Sequence, residues 1–212
     1  MRVGGFPEPF LSDSDDFAKR WRSSHLDRIL KEDLLAERVG SAVSYSSLAR
    51  NLEISPHTVK KWIGILESLY VLFVVPPYSK NNARAILKEP KIFFYDVGRV
   101  KNDPGARFEN IVALSLLKKI HQGQDLRGQK SQLFYVRDKE KCEIDFLTVI
   151  DKKIHDLVEV KLSDDKLSRH LIYFNDRLKP LYPVQVVRDL SKDLTVHKIP
   201  IVRAAQWLLP QG

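Results

Sequence analysis

Two stretches set the tightest limits on how this chain folds: Glu143-Ile144-Asp145-Phe146-Leu147-Thr148-Val149-Ile150 and Asp156-Leu157-Val158-Glu159-Val160-Lys161. Both are rich in β-branched and apolar residues, which predicts neighbouring strands joined through a turn at Asp151-Lys152-Lys153. Side chains alternate across a strand, so Glu159 and Lys161 share a face and Val160 points away. Thirteen residues separate Asp145 from Glu159, enough for a strand end, a turn and a strand start, so the two carboxylates can sit side by side. The apolar flanks Ile144, Phe146, Leu147, Val158 and Val160 mark these strands as buried, and charges on core strands need a partner or a ligand. Two ionised carboxylates at close range repel, and a hard divalent ion such as Mg²⁺ relieves this with oxygen ligands. Such an ion can bind a phosphate oxygen and help generate hydroxide, while Lys161 can orient the water or stabilise transition-state charge. Glu109, on a helix preceding these strands, can complete the ligand set. For an isolated Glu-x-Lys the commoner reading is a solvated face, with Lys161 in a cross-strand ion pair to Glu159 or Asp145.

The surrounding sequence predicts a mixed α/β region over residues 101–212. A helix is expected over Phe108–Ile120, then a loop around Gly123–Ser131 and a first strand at Leu133–Arg137. After Lys161 the pattern gives a helix over Asp164–Arg177, strands at Val184–Val187 and Thr195–Ile199, and a closing helix at Ile201–Leu209. A polar stretch from Arg99 to Gly105 reads as a domain junction.

Upstream, residues 40–100 read as a winged helix. The positions Leu48, Ala49, Leu52, Ile54, Val59, Trp62, Ile63 and Leu66 have helix-turn-helix spacing. The first helix covers Tyr45–Asn51, the turn lies at Glu53-Ile54-Ser55, and the second helix starts at Pro56 with Ser55 as its cap. Glu53 stands where glycine commonly makes the turn. Two strand runs follow, Tyr70–Val75 and Lys91–Tyr95, with a polar wing between them. Residues 1–39 form an extended and helical lead-in. Ser12 or Asp13 suits a helix cap there, and Phe17 and Trp21 lie four apart on one helical face.

Charge supports a polyanion partner. Residues 1–39 carry net −1, residues 40–100 net +4 and residues 101–212 net +5, so the excess begins with the helix-turn-helix pattern. His57, Thr58, Lys60 and Lys61 lie at the start of the second helix, where base-edge and phosphate contacts arise in such motifs. Lys80, Arg84 and Lys88 in the wing can add phosphate contacts. The same residues also fit a solvated helix face, and winged helices serve as protein-interaction modules as well as DNA readers.

Several function classes find no support. The longest apolar run, Tyr70–Val75, ends at Pro76-Pro77, so no membrane span is expected. The N-terminus has no apolar signal core and Cys142 is alone, which predicts an intracellular, cytoplasmic protein without an intrachain disulfide. The six histidines show no zinc spacing, and no Ser/His/Asp order can be defended. No G-x-x-x-x-G-K-[ST] run occurs, so ATP hydrolysis by this chain alone is not expected.

Phe108-Glu109-Asn110, Glu143-Ile144-Asp145-Phe146 and Glu159-Val160-Lys161 resemble the motifs of the PD-(D/E)XK, restriction-endonuclease-like superfamily. Gly4-Gly5-Phe6-Pro7-Glu8, the Val59–Leu72 stretch and Lys91-Ile92-Phe93-Phe94-Tyr95-Asp96-Val97-Gly98 are similar to the C-terminal region of a large prokaryotic family of AAA-type ATPases. In that family a P-loop module precedes a winged helix and a nuclease-like domain of unassigned function. The resemblance implies a Mg²⁺- or Mn²⁺-dependent phosphodiesterase site with Asp145 and Glu159 as ligands, Lys161 as catalytic lysine and Glu109 as the helix-borne acid. It implies nucleic acid, DNA foremost, and an AAA-type ATPase domain or chain as partners, and leaves oligomerisation open. It equally allows a non-catalytic regulatory or recognition module, or a winged-helix regulator. The missing Walker A run implies a truncated, split or decayed form of that architecture.

Overall fold

The structure is a computed structural model that describes residues 35–79, 89–100 and 103–209. Of the expected lead-in over residues 1–39, residues 1–34, with the Ser12 or Asp13 cap and the Phe17–Trp21 face, lie outside the described residues. So do the wing cations Lys80, Arg84 and Lys88. The chain divides into two compact units, residues 1–38 and 39–212. The described part of the first is a single 3-10 turn, Ala36–Arg38.

Residues 39–212 are mixed α/β. They begin with two helices, α1 (Tyr45–Leu52) and α2 (Pro56–Ser68). Ser44 caps α1 by accepting from the Ser47 amide, and Ser55 caps α2 by accepting from the Thr58 amide at 3.0 Å. Pro56 stands in the first turn of α2, where its missing N–H costs nothing. Glu53 ends α1 in the left-handed region, φ 55°, the conformation glycine would adopt most cheaply. Val59, Trp62, Ile63 and Leu66 are the buried face of α2. Strands β1 (Leu72–Val75) and β2 (Lys91–Phe94) then pair antiparallel, Leu72 against Phe94 and Val75 against Lys91.

Helix α3 (Pro104–Arg127) is capped by Asp103, whose Oδ1 accepts from the Ala106 amide at 2.9 Å. It is longer at both ends than the expected Phe108–Ile120. Gly123 is a buried helical residue, and the stop is Gly128 at φ 64°. The six-stranded sheet has the order β3-β4-β5-β6-β8-β7. Its members are β3 (Ser131–Arg137), β4 (Glu143–Ile150), β5 (Lys153–Lys161), β6 (Tyr182–Val187), β7 (Leu194–Val196) and β8 (Ile199–Arg203). The first three form an antiparallel meander. Helix α4 (Arg169–Leu178) crosses over to β6, which runs parallel to β5. Leu171 and Phe174 of α4 pack on Ile144, Leu147 and Leu157 of the sheet.

Three later expected elements differ. Thr195–Ile199 is interrupted by a tight turn at His197 and Lys198, both with positive φ, which separates β7 from β8. The expected helix Ile201–Leu209 begins as strand, because Ile201, Val202 and Arg203 pair with Gln185, Val186 and Val187 of β6. Only Ala204–Trp207, helix α5, is helical. Tertiary pairing of β-branched residues overrides the helical spacing there. Helix α4 also begins later than the expected Asp164, because Ser168 is its cap. Among the described residues no helix is long and apolar enough to cross a membrane.

Candidate functional site

The β4–β5 hairpin turns tightly at Asp151 and Lys152, with φ 48° and 68°. Near the turn, Val149 pairs with Ile154; beyond it, Leu147 pairs with Leu157 and Phe146 with Val158. The pairing has slipped by one residue, with an extra residue on β5. Thr148 and Asp156 hold this bulge: the Asp156 amide donates to Thr148 Oγ1 at 3.0 Å, and that hydroxyl donates to Asp156 Oδ2 at 2.5 Å. The slip matters for function. Continuing the register one step past Phe146 and Val158 puts Asp145 opposite Glu159. Without the bulge Glu159 would face Ile144, and the two acids would point to opposite sides of the sheet.

Asp145 Oδ2 accepts from the Val160 amide at 2.9 Å, which fixes its carboxylate against β5. Lys161 Nζ lies 2.8 Å from Glu159 Oε1, the i, i+2 pairing that strand alternation allows. Glu159 is 4 % exposed, and its other oxygen, Oε2, has no hydrogen-bond partner among the described residues. Burial, and then repulsion from Asp145, push the Glu159 carboxyl up to about 7 against the pull of Lys161. The Lys161 ammonium is disfavoured by its own burial, but Glu159 and Asp145 outweigh this and raise its pKa.

Glu109 reaches the same region from the second turn of α3, but it is already engaged. Lys91, the first residue of β2, is 1 % exposed and directs its ammonium among three carboxylates. Nζ lies 2.8 Å from Glu143 Oε1, 3.0 Å from Glu109 Oε1 and 3.5 Å from Asp145 Oδ1. The Tyr135 ring lies 5.5 Å from the same ammonium, a cation–π contact. Burial opposes the charged lysine, but the three acids together raise its pKa. Burial, followed by Asp145, pushes Glu109 up to about 8, although Lys91 pulls the other way. Asp145 thus stands between two clusters, the Lys91 cluster and the Glu159–Lys161 pair.

Neighbouring residues hold this arrangement. Asn110 is fully buried, and its amide spans the Phe94 backbone: the Phe94 N–H donates to Oδ1, and Nδ2 donates to the Phe94 carbonyl, both at 2.8 Å. This fixes α3 to the edge of β2 one residue from Glu109. Gly40 has φ 74°, and a Cβ there would come within 2.5 Å of Glu109 Oε2, so the chain passes the carboxylate with no room for a side chain. Gln185, buried on β6 opposite Glu159, binds the loop after Lys161: its Oε1 accepts from the Ser168 amide at 2.8 Å and its Nε2 donates to the Lys166 carbonyl at 2.9 Å.

Among the sequence-derived candidates, Glu109, Asp145, Glu159 and Lys161 are brought together. His57, Lys60 and Lys61 are exposed and Thr58 is half-buried, all on the first two turns of α2. Lys91, Glu143, Asn110 and Gln185 were not singled out from sequence. The available signal was polar side chains standing in apolar strands or beside a motif acid, as with Lys91 before Ile92-Phe93-Phe94 and Gln185 between Val184 and Val186.

The acid cluster gives stability a specific pH dependence. The folded-state pKa of Glu159, about 7, lies above its ordinary 4.5, so the folded chain binds more protons between these values. In chelator-treated solution stability is therefore greatest below about pH 4.5 as far as Glu159 is concerned, and on the order of 3 kcal/mol is lost as pH rises through about 7. Glu159→Gln should flatten this slope in urea unfolding at pH 5 and pH 8. An equal slope in both proteins would show that Glu159 ionises freely in the fold.

Two family models match the chain. Residues 32–102 match one described as a domain of unknown function (DUF8612), and residues 104–207 match one described as a domain of unknown function (DUF4143). The two matches meet just before α3. The chain is 21 % identical over 200 residues to uncharacterized proteins of Mycobacterium tuberculosis and Mycobacterium bovis, covering 79 % of this chain and 44 % of each relative. It is also 21 % identical over 243 residues to an uncharacterized protein of Haemophilus influenzae, covering 98 % of this chain and 56 % of that one. The chain spans about half the length of the curated relatives it matches. No solved structure gives a significant match.

Proposed function

We propose that this chain is the winged-helix and PD-(D/E)XK nuclease-like part of an AAA-type ATPase system, a cytoplasmic nucleic-acid-binding module that hydrolyses phosphodiester bonds with Mg²⁺ or Mn²⁺. The observation that carries this reading is the convergence of Asp145, Glu159 and Lys161, with a buried Glu159 oxygen that has no partner at hydrogen-bond distance among the described residues, the Ser168 hydroxyl being a nearby polar group. Two adjoining carboxylates and an orphaned oxygen fit a hard divalent cation. Asp145 and Glu159 would hold it, and it would supply Lewis-acid polarisation of a phosphoryl oxygen. The protein's own contribution is placement: the bulge sets Asp145 opposite Glu159, the Val160 amide fixes the Asp145 carboxylate, and Lys161 presents a cation for developing negative charge. Among the described residues no three ligating side chains form a ready-made metal cluster, and the Lys91 ammonium lies among Glu109, Glu143 and Asp145. The direct test is incubation with single- and double-stranded DNA and RNA in Mg²⁺ or Mn²⁺. Cleavage that chelator abolishes supports the reading, and no cleavage of any of these substrates counts against it.

Nucleic-acid contact is assigned to the N-terminal turns of α2, where His57, Lys60 and Lys61 face solvent. Lys60→Glu with Lys61→Glu should abolish a gel shift, and the two-lysine neutral variant should reduce the slope of log affinity against log salt by about 2. An unchanged slope would remove these lysines from the interface. The ATPase partnership is supported by the resemblance of the Lys91–Gly98 and Val59–Leu72 segments, and the greater length of the relatives leaves room for such a domain.

A second reading, a non-catalytic recognition or regulatory module of the same system, is favoured by one observation, the filling of the acid cluster by Lys91. It predicts nucleic-acid binding without metal-dependent cleavage.

A further inference from the structure

We propose that Lys91 is an autoinhibitory cation, a protein-borne ammonium that competes with the divalent ion for Asp145. The inference rests on the metal-site reading above and assigns that site its regulation. The geometry is specific. Asp145 has two oxygens: Oδ2 is held by the Val160 amide, and Oδ1 is turned to the Lys91 ammonium at 3.5 Å. Glu159 meanwhile keeps a buried oxygen, Oε2, with no hydrogen-bond partner among the described residues. Glu159 is thus paired through one oxygen, to Lys161, while Asp145 is taken by a lysine from β2, outside the sheet that carries the site.

Lys91 is well held for this role. Glu109 and Glu143 fix its ammonium, Tyr135 covers it, and Asn110 fastens β2 to α3. Two cations this close cannot share one carboxylate without mutual repulsion, so divalent binding and the Lys91 contact oppose each other. Anything that draws β2 away from α3 would release Asp145.

The test is calorimetric titration of Mn²⁺ into the natural chain, Lys91→Met, Lys91→Arg and the double variant Lys91→Met with Glu159→Gln, all purified with and without Mn²⁺. Methionine keeps the length of lysine without the charge. The inference predicts that Lys91→Met binds Mn²⁺ at least about tenfold more tightly than the natural chain, and that this binding is lost with Glu159→Gln. Lys91→Arg, which keeps the cation, should show no tightening. If Lys91→Met folds poorly alone, Mn²⁺ should restore its thermal transition. Three results overturn the inference: Glu159-dependent binding in Lys91→Met that is no tighter than in the natural chain, equal tightening in Lys91→Arg, or a Lys91→Met chain that stays unfolded with Mn²⁺ present. Absence of Glu159-dependent Mn²⁺ binding in every variant overturns the metal-site reading together with it.

Discussion

Asp145→Asn is expected to lower metal-dependent phosphodiester cleavage by at least about a thousandfold, and Lys161→Ala by at least about a hundredfold. Asparagine is nearly isosteric with aspartate, so the Val160 amide keeps an acceptor and the strand register survives. What is lost is one negative charge at the position that borders both Glu109 and Glu159. That loss removes half of the proposed ligand pair and also relieves the repulsion that raises both neighbours. The variant should therefore be inactive yet at least as stable as the natural chain near pH 8. Paired measurements of cleavage rate and urea midpoint check this. Retained cleavage in a folded Asp145→Asn protein would remove Asp145 from the chemistry, and a large drop in midpoint would make its role structural.

Asn110→Leu should destabilise the fold by about 2–5 kcal/mol. The substitution fills nearly the same volume but leaves the Phe94 N–H and carbonyl, on the edge of β2 away from β1, with neither a protein partner nor water. Each orphaned buried backbone group costs about 1–3 kcal/mol. A fall in the urea midpoint at constant m-value is the expected signature. Because β2 carries Lys91, the same variant should weaken the grip of Lys91 on the acid cluster. A change under about 1 kcal/mol, roughly the worth of an ordinary exposed substitution, would show that the β2 edge finds another partner.

The sequence carries the site unevenly. Glu159 and Lys161 are legible together because two-residue spacing on an apolar strand leaves few other arrangements. Asp145 is legible as a neighbour, but its register is not: the spacing to Glu159 allows either side of the sheet, and the Thr148–Asp156 bulge decides it. Lys91 shows locally only as a charge before an apolar run, and its partners do not show at all. It lies eighteen residues before Glu109 and more than fifty before Glu143 and Asp145, and only the tertiary fold brings it among them. The helix start at Pro56 is readable from capping chemistry, since its cap, Ser55, lies within three residues of the Thr58 amide it caps. The Ile199–Arg203 strand is not, because its partners are on β6 and its sequence has apolar spacing that suits a helix as well.

The most direct measurement is Mn²⁺ binding by calorimetry to the natural chain and to Glu159→Gln, the residue whose buried oxygen lacks a partner. One saturable Mn²⁺ per natural chain, absent from a folded Glu159→Gln protein, is the predicted result. Equal binding in both proteins, or none in either and none in Lys91→Met, would contradict a divalent-ion site at Asp145 and Glu159.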